Sequence, residues 1–403
     1  MKILILLGKI LLLKVVLLLG KKMIKEDIEF LEDWIVQIKT LTKELNLIAQ
    51  KKDLTTYFSI SNTTSSSKDI QKPYVTPIRL LEGGVICGVV VFSQSQAVIA
   101  AKFVQDLVDK ILVDSEKKIG MQVGIDKNLL TYFKITDSAI NSKSRSLIEF
   151  GNISSAVRMV IPEGKFIEYK ANDITVEAIW TFLSIRLTKL SGKKIAILGC
   201  GNIGFKLALK LVESGINVVL VRRDSSKGVL MANSINMVKP KTTLATATYC
   251  ASPLQASSYC DVLIGTANSG VSLISWDMIQ SMAPEGFVID VGKGNVEDYA
   301  IKKAIEENIE IIRGDVGASL YGFISHRQQT QDVIKNKIGR DEIKPGVSVV
   351  SGGLFGRNGE IVVDNYSSPG IIYGVADGCG QMKTTLNEVD RKNVSLVKKH
   401  LSI

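Results

Sequence analysis

Histidine and cysteine are scarce in this chain of 403 residues, which contains two histidines and five cysteines. No two of the cysteines form a C-x-x-C pair. A zinc site made from histidine and cysteine ligands is therefore not expected, and we predict that the protein binds no metal. An odd number of widely spaced cysteines indicates reduced thiols rather than a disulfide framework, which favours a cytoplasmic location.

Long uninterrupted apolar runs are also lacking. The most apolar segment is the N-terminal leader, residues 1–22, in which Lys9 and Lys14 break the runs. Because a helix that spans a bilayer needs about 20 consecutive apolar residues, the leader is not expected to cross a membrane. It also lacks the small-residue cleavage site of a signal peptide. The leader is either a membrane-surface helix or upstream sequence ahead of a true start at Met23. We favour the second interpretation, and we expect membrane contact only if the leader belongs to the native protein.

A third absence concerns nucleic-acid binding. The net charge is +10, but five of the lysines that produce it lie in the leader. No stretch combines a basic stripe with interleaved aromatic residues, the pattern typical of nucleic-acid-binding proteins. Nucleic acid is therefore not an expected partner, whereas a small-molecule substrate is. A homo-oligomer, most simply a dimer, is the default expectation for the assembly.

The most informative feature that the chain does contain is a glycine turn within residues 193–224. Residues 194–198 form a short apolar run typical of a buried parallel strand. Gly199, Gly201 and Gly204 follow as G-x-G-x-x-G, and an amphipathic helix and a second apolar strand come next. This order of elements within about 30 residues predicts a dinucleotide-binding unit.

Each glycine of this turn meets a steric requirement that a larger residue would not meet. Gly199 permits the tight turn out of the strand, Gly201 lets a pyrophosphate approach the backbone, and Gly204 lets the helix pack close to the strand. The first helical residues, Asn202 and Ile203, present free N–H groups and the positive end of the helix dipole to the phosphates. We therefore expect all five residues to bind the cofactor.

The end of the second strand predicts which nucleotide binds. An acidic residue there would bond the ribose 2′-hydroxyl of NAD, but this chain has Arg222 and Arg223, followed by Asp224. Two guanidinium groups suit the 2′-phosphate of NADP, because arginine offers a fork of donors to phosphate. The alternative is a pair of solvated arginines with Asp224 on an NAD ribose. We favour NADP over NAD.

Alternating strand and helix signals continue from the glycine turn to about residue 313 and predict a doubly wound parallel Rossmann sheet. Ligands of such sheets lie at the carboxyl ends of the strands. The expected cofactor contacts at those ends are Thr266, Ala267, Asn268, Val291 and Gly292.

The remaining residues suggest the domain organisation of an α/β protein. Residues 23–172 are predicted to form a separate α/β substrate domain, in which residues 158–161 are a short strand candidate. Residues 173–320 are predicted to form the nucleotide-binding domain with its connecting helix. We expect the glycine-rich residues 321–403 to return to the first domain and pack on it.

The order of motifs between residues 172 and 353 resembles that of two-domain dehydrogenases, such as methylenetetrahydrofolate dehydrogenase/cyclohydrolase and shikimate dehydrogenase. Residues 191–199 are similar to their G-K-x-v-x-v-x-G strand, and residues 287–295 (FVIDVGKGN) to the V-I-D-V-G strand of the folate enzymes. Residues 314–316 and 349–353 are similar to their G-D-V and P-G-G elements. The resemblance implies a substrate domain ahead of a Rossmann domain, with hydride transfer in the cleft between them.

Hydride transfer also requires a group that gives or takes a proton. Asp173 is the first candidate, because Asn172-Asp173 lies near the place where shikimate dehydrogenases carry Asn-Thr-Asp-Gly; the alternative is a helix N-cap. Lys170, three residues earlier, is a second candidate if a cleft lowers its pKa. Lys293, which follows the predicted fifth strand, could bind an acidic substrate group or be solvated. His326 is a less favoured proton donor.

The leading hypothesis is an NADP-dependent oxidoreductase that acts on a small polar carbonyl, imine or hydroxy compound. A second class of enzyme keeps its NAD tightly bound and regenerates it in every turnover, as hydrolases or deaminases do. A third hypothesis is a sensor or scaffold that binds NADP without turning it over.

Overall fold

The computed structural model describes residues 28–63, 71–119, 125–135, 149, 151–268 and 270–400. The predicted leader therefore lies outside the described residues. The chain divides into two compact units, residues 1–321 and residues 322–403. In the part of the chain that the structure describes, no helix combines the length and the apolar character that crossing a bilayer requires.

The first sheet contains five strands in the order β2-β3-β1-β4-β5. Strands β3, β1, β4 and β5 run parallel, and β2 is antiparallel to β3. The strands are β1 (Thr55–Asn62), β2 (Tyr74–Leu81), β3 (Gly84–Val91), β4 (Lys110–Asp114) and β5 (Phe166–Tyr169). The helices around them are α1 (residues 28–52), α2 (Gln94–Val104), α3 (Lys127–Tyr132) and α4 (Ile153–Arg158). A 3₁₀ turn, Glu163–Lys165, precedes β5.

The core of this first region lies between the sheet and its helices. Strand β3, which lies between β2 and β1, is buried along nearly its whole length, as expected for an inner strand that is covered on both faces. From α1, Trp34, Ile38 and Leu45 are fully buried in the same apolar cluster. The predicted strand at residues 158–161 is wrong, because this part of the chain is the end of α4 and the turn after it.

The second sheet contains six parallel strands in the order β11-β10-β9-β6-β7-β8. The strands are β6 (Lys194–Leu198), β7 (Asn217–Val221), β8 (Ala247–Tyr249), β9 (Val262–Gly265), β10 (Phe287–Asp290) and β11 (Ile311–Arg313). The helices are α5 (Ala171–Arg186), α6 (Asn202–Glu213), α7 (Ser225–Val238), α8 (Pro253–Ser257), α9 (Trp276–Gln280) and α10 (Asp298–Glu306). The strand order reverses between β6 and β9, which is the switch point of a doubly wound Rossmann sheet. The predicted α/β fold with a doubly wound parallel sheet is therefore confirmed.

The C-terminal unit has a sheet of its own, in the order β12-β13-β14-β15. Its elements are β12 (Gly339–Lys344), β13 (Val347–Ser351), β14 (Ile361–Val363), β15 (Ile372–Val375) and α12 (Glu388–His400). Helix α11 (Gly317–Asp332) and a π-helical turn, Val333–Lys337, lead into this sheet. A small apolar core forms around Val349, Ile361 and Val397. Arg340 forms an ion pair with the buried Glu360 carboxylate at 2.9 Å.

Candidate functional site

The glycine turn between β6 and α6 has the geometry that its sequence predicts. Gly199 has a φ of +80°, and a Cβ there would lie 2.7 Å from the backbone nitrogen of Ala267. A Cβ on Gly204 would lie 2.8 Å from Thr266 Oγ1. At Gly201, by contrast, a Cβ would meet no atom nearer than 3.8 Å. Gly199 and Gly204 therefore allow tight internal packing, whereas Gly201 faces space that a ligand could fill.

Helix α6 begins at this open position. Gly201 is the N-cap residue, and no side chain among the described residues caps the helix. The first amides of a helix have no partner within the helix, and here they begin at Asn202 and Ile203. Together with the helix dipole they form a site that suits a phosphate group. The residues present therefore fit the pyrophosphate of a dinucleotide.

The two arginines after β7 differ in their surroundings. Arg222 donates a hydrogen bond from Nη1 to the carbonyl oxygen of Cys200, over 2.5 Å, and so contacts the glycine turn itself. Arg223 is exposed. The Cys200 side chain is buried, and burial raises its thiol pKa to about 12, although the charge of Arg222 acts to lower it.

Asp224, the acidic residue next to them, is the N-cap of α7. Its carboxylate accepts hydrogen bonds from Ser226 Oγ at 2.7 Å and from the amide of Lys227 at 3.1 Å. These bonds lower its pKa to about 2, the Ser226 bond most strongly. The side chain therefore has a structural role that does not require a ribose hydroxyl.

The predicted contacts at the ends of β9 and β10 lie against the glycine turn. Thr266 Oγ1 is within 3.2 Å of the carbonyl oxygens of Leu198 and Gly199, to which it donates. A Cβ on Gly292 would lie 2.1 Å from the carbonyl oxygen of Ala267, so this glycine allows the two strand ends to approach closely. Asn268 and Val291 belong to the same two strand ends. The structure thus brings together the three groups of predicted cofactor residues, namely the glycine turn, the arginines after β7 and the residues at the ends of β9 and β10.

Sequence reasoning missed the two polar residues that hold these loops together. Asn295 is fully buried, accepts a hydrogen bond from the Ala267 amide at 3.0 Å and donates to the Val271 carbonyl at 3.0 Å. Asp290, also buried, accepts from the Gly294 amide at 2.7 Å. An acid at the end of an otherwise apolar strand, with an asparagine five residues later, was the available signal.

Asp173 and Lys170 lie at the start of the connecting helix α5. Lys170 is the N-cap and Asp173 is in the first turn, so the alternative reading of Asp173 as the N-cap is wrong. The Asp173 carboxylate forms an ion pair with Lys206 of α6 and a looser one, at 3.9 Å, with Lys170. Sequence reasoning did not single out Lys206, whose contact joins α5 to α6.

A polar cluster at the ends of β4 and β5 continues this connection. Lys118 lies 2.8 Å from the carboxylate of Asp114 and 2.9 Å from that of Glu116. Burial raises the pKa of Asp114, and the charge of Lys118 opposes that rise. Glu116 accepts from the amide of Asn172, and the Asn172 side chain donates to Asn202 Oδ1 at 3.2 Å. The first sheet is thereby tied to the glycine turn.

Lys293 follows β10 and has a φ of +59°, in the left-handed region. Partial burial lowers the pKa of its ammonium group, and the positive charges of Arg79 and Arg313 lower it further. Arg79 comes from β2 of the first sheet and forms an ion pair with Asp315 at 3.8 Å. The Arg79–Asp315 contact brings the first sheet to the carboxyl ends of β10 and β11, and Lys293 lies at the same end of the second sheet. His326 is in α11 and is assigned to the C-terminal unit.

The described residues contain no group of three or more histidine, cysteine, aspartate or glutamate side chains arranged to hold a metal ion. Residues 165–318 match the family model described as D-isomer specific 2-hydroxyacid dehydrogenase, NAD binding domain. That match covers less than half of the chain. No curated protein matches the chain in sequence.

Several solved structures are similar in fold. A cinnamyl alcohol dehydrogenase from Sorghum bicolor is 15% identical with a TM-score of 0.30, over 42% of this chain and 45% of that one. L-tryptophan dehydrogenase from Nostoc punctiforme is 12% identical with a TM-score of 0.36, over 69% and 75% of the two chains. A shikimate dehydrogenase in complex with NADP⁺ is 16% identical with a TM-score of 0.36, over 69% and 91%. These likenesses concern the fold alone.

The family match and the glycine turn support a dehydrogenase or reductase that uses a nicotinamide nucleotide. The broader part of the predicted resemblance, an NAD(P)-dependent dehydrogenase with a Rossmann domain, is confirmed. The match does not single out the folate or shikimate type, and it does not distinguish NADP from NAD.

Proposed function

We propose that this protein is an NADP-dependent reductase or dehydrogenase that acts on a small polar carbonyl, imine or hydroxy compound. The observation that carries the proposal is the glycine turn, where α6 begins without a side-chain cap among the described residues and Gly201 faces open space. Two arginines follow at the end of the next strand, β7. The substrate lies in the region where the first sheet meets the carboxyl edge of the Rossmann sheet.

The preference for NADP follows from charge at the end of β7. An NAD-specific site needs a carboxylate that can accept from the ribose hydroxyls. Asp224 is already the N-cap of α7 and accepts from Ser226 and Lys227. Arg223 is exposed beside it and offers a fork of donors to a 2′-phosphate. The amides of Asn202 and Ile203 would hold the pyrophosphate.

The chemistry that a bound NADPH supplies is a hydride, and the carbon that accepts it loses its π bond to oxygen or nitrogen. That heteroatom then needs one proton. Lys293 is the residue we propose as its donor, because it lies at the carboxyl end of β10, where ligands of doubly wound sheets bind. Its lowered pKa suits proton transfer, since a catalytic acid works best with a pKa near the operating pH.

Asp173 and Lys170 receive a different proposed role. The ion pair of Asp173 with Lys206 connects α5 to α6. The hydrogen bond of Asn172 to Asn202 makes the same connection at the first residue of α6. We propose that these contacts hold α6 in position relative to the first sheet.

When the enzyme runs in the direction of oxidation, Lys293 would accept the proton that it donates during reduction.

The test begins with calorimetric titration of the full chain with NADPH and with NADH. We expect NADPH to bind at least about tenfold more tightly, which is a difference of about 1.4 kcal/mol. A panel of small aldehydes, ketones and imines is then screened for loss of NADPH absorbance. A protein that binds neither nucleotide contradicts the proposal. Nucleotide that copurifies and is not consumed would favour the enzyme class that recycles its cofactor.

A further inference from the structure

Helix α7 carries apolar side chains on the side that faces away from the Rossmann sheet. Its inner side packs against β8 and buries Ala232 and Ile235. Leu230 and Met237 are 65% and 80% exposed, and because they lie about two helical turns apart they share the outer side. Val238, the last residue of the helix, is 65% exposed. Three large apolar side chains of this helix therefore contact solvent instead of the core.

The loop after the helix adds a fourth apolar side chain to this surface. Leu244 is 94% exposed, so the rest of the protein covers almost none of it. The ammonium group of Lys239, the C-cap residue of α7, donates a hydrogen bond to the carbonyl oxygen of Ala245. This bond ties the loop to the end of the helix and holds Leu244 near it. The α7 patch is defined by these four apolar residues, Leu230, Met237, Val238 and Leu244.

The segment that carries the α7 patch contains positive charges and almost no negative ones. Lys227 and Lys241 flank the patch in sequence and are exposed. No aspartate or glutamate occurs between Asp224 and Asp261, although 40 of the 403 residues of the chain are acidic. The Asp224 carboxylate is used as the N-cap of α7. A surface of exposed apolar side chains with lysines around it is complementary to a partner that combines hydrocarbon with negative charge.

A second copy of the chain fits this surface poorly. In a two-fold dimer the α7 patch would meet its own copy, so the lysines of the two subunits would face each other. A stable protein interface also takes about 20–30 residues on each side, far more than the patch and its lysines provide. The sheet edge beside the patch is closed as well. Asn236 donates to the Ala247 carbonyl of β8 at 2.7 Å and accepts from the Ala247 amide at 2.9 Å, which blocks strand addition there.

The shape of the α7 patch favours a lipid surface over a protein partner. Side chains as exposed as Met237 and Leu244 project from the surface rather than line a groove. A protein partner would need a matching pocket for each of them, whereas the boundary between lipid headgroups and acyl chains accepts apolar side chains without a preformed shape. Lysines beside such side chains lie at the level of the headgroups, where anionic lipids attract them.

We propose that the α7 patch docks the protein on the surface of a membrane that contains anionic lipids. Met237, Val238 and Leu244 enter the boundary between headgroups and acyl chains, and Lys241 contacts the anionic headgroups. The docking is reversible, because a few side chains bury much less apolar surface than a helix that spans the bilayer. The inference does not depend on the nucleotide or on the substrate of the proposed function.

The test is flotation of the full chain with vesicles of two compositions. One contains phosphatidylcholine alone, and the other contains phosphatidylcholine and phosphatidylserine in equal parts. Met237→Ser/Leu244→Ser removes two projecting apolar side chains, and Lys241→Gln removes one charge. The leader sequence also contains apolar residues and lysines. All variants keep it, so a difference between variants reports on the α7 patch.

The matched controls come from α10, which has an exposed apolar residue in acidic surroundings. Ile305 is 69% exposed and is followed by Glu306 and Glu307. Lys302, on the same helix, is exposed. Ile305→Ser and Lys302→Gln therefore repeat the two kinds of substitution outside the α7 patch. All of these variants change exposed side chains and should unfold at nearly the wild-type temperature, so a loss of vesicle binding does not reflect a loss of fold.

We expect the wild type to bind the mixed vesicles at least about tenfold more tightly than phosphatidylcholine alone. Met237→Ser/Leu244→Ser should weaken this binding by about tenfold or more, and Lys241→Gln by about fivefold. The two α10 controls should leave it unchanged.

Three results would overturn the inference: no binding of the wild type to the mixed vesicles, equal binding to both compositions, or wild-type binding by Met237→Ser/Leu244→Ser. Sedimentation without lipid gives a further check. A dimer that forms as the protein concentration rises, and that is lost in the same double variant, would assign the α7 patch to a second copy instead.

Discussion

Arg222 Nη1 lies 2.5 Å from the carbonyl oxygen of Cys200, so the first arginine after β7 is a hydrogen-bonding partner of the glycine turn. Arg223, one residue later, is exposed. Two adjacent residues of the same type therefore stand in different positions relative to the nucleotide site. The first one supports the backbone that would bind the pyrophosphate, and the second one is available to the 2′-phosphate.

This difference leads to the first prediction. Arg223→Ala should weaken NADPH binding by at least about tenfold and leave NADH binding unchanged, because only NADPH carries the 2′-phosphate. Arg222→Ala should weaken both nucleotides to a similar degree, because it removes a hydrogen bond from the turn that both of them use. Calorimetric titration of the two variants with both nucleotides measures this.

The matched control for both variants is Arg186→Ala. Arg186 is exposed and forms an ion pair with Glu310, which lies just before the amino end of β11. Its nucleotide affinities should equal those of the wild type. If Arg223→Ala lowers NADPH and NADH affinity equally, the arginine does not bind the 2′-phosphate, and the assignment of NADP specificity to it is wrong.

A second prediction concerns two glycines of the same turn. Gly201→Ala should change the free energy of unfolding by no more than about 0.5 kcal/mol, because its Cβ would enter open space. It should nevertheless weaken NADPH binding by about tenfold or more, since the methyl group fills the space that a pyrophosphate needs. Calorimetry and denaturant unfolding measure the two effects.

Gly199→Ala is the matched comparison, since its Cβ would lie 2.7 Å from the Ala267 nitrogen and its φ is +80°. We expect it to lower the free energy of unfolding by about 1–3 kcal/mol. A Gly201→Ala variant that binds NADPH as tightly as the wild type would show that the phosphates do not approach this residue.

The nucleotide-binding half of the fold was predictable because its signals are local. The apolar strand, the three glycines and the helix of residues 194–213 lie together in the chain, and each follows from a steric requirement. The error at residues 158–161 has an equally local cause. Ile153, Ala156, Val157 and Val160 are buried at helical spacing, but this helix is short and its apolar residues follow one another closely enough to resemble a strand.

The contacts between the first sheet and the Rossmann sheet were harder to predict because their partners are far apart in sequence. Arg79 contacts Asp315, and Glu116 bonds the amide of Asn172. Neither pair has a spacing that a sequence pattern could reveal. Lys293 was predictable as a candidate because it follows a strand, but the arginines that act on it became apparent only from the packing of the two sheets.

A third prediction concerns Lys293 as the proton donor. Lys293→Gln should lower kcat for carbonyl reduction by about 10²–10⁴-fold and leave NADPH affinity nearly unchanged. The wild-type rate should fall as the pH rises through the lowered pKa of Lys293, because only the ammonium form can donate. That fall should begin below the ordinary lysine value of 10.5.

Steady-state kinetics across this pH range measure the profile, and Lys303→Gln is the control. Lys303 is partly exposed on α10 and forms an ion pair only with Glu306 among the described carboxylates. The control should keep the wild-type profile. A Lys293→Gln variant with unchanged kcat and an unchanged pH profile would rule out proton transfer by this residue.

A fourth prediction separates positioning from proton transfer at Asp173. Its ion pairs are partly exposed, and such pairs contribute about 0–1 kcal/mol. Asp173→Asn and Lys206→Gln should therefore have similar and small effects, with kcat reduced by less than about tenfold. The double variant should resemble either single variant, since each removes the Asp173–Lys206 ion pair, and the other pairs of these side chains, with Lys170 and Glu116, are loose at 3.9 and 3.8 Å. A loss of kcat of about 10²-fold or more in Asp173→Asn alone would assign the proton to Asp173 instead.

The last prediction concerns the stability of the C-terminal unit and its pH dependence. Glu360 is buried and accepts from Arg340 Nε at 2.9 Å and from the Arg357 amide at 2.7 Å. Burial acts to raise its pKa, but the bonds from Arg340 and Arg357 outweigh burial and lower it below the ordinary 4.5. A lowered folded-state pKa means that this stabilisation is present above the unfolded-state value and is lost as the pH falls through the folded-state value.

Glu360→Gln should therefore lower the free energy of opening in the C-terminal unit by about 1–3 kcal/mol near neutral pH, since two donors lose a charged acceptor. The difference from the wild type should shrink as the pH falls below 4.5, because protonated glutamate resembles glutamine. Hydrogen exchange read from peptides of residues 339–375 localises the effect to this unit. Glu306→Gln, which breaks an exposed ion pair with Lys303, should change the exchange little. A Glu360→Gln effect that is the same at every pH would mean that shape and packing, rather than the carboxylate charge, make this side chain stabilising.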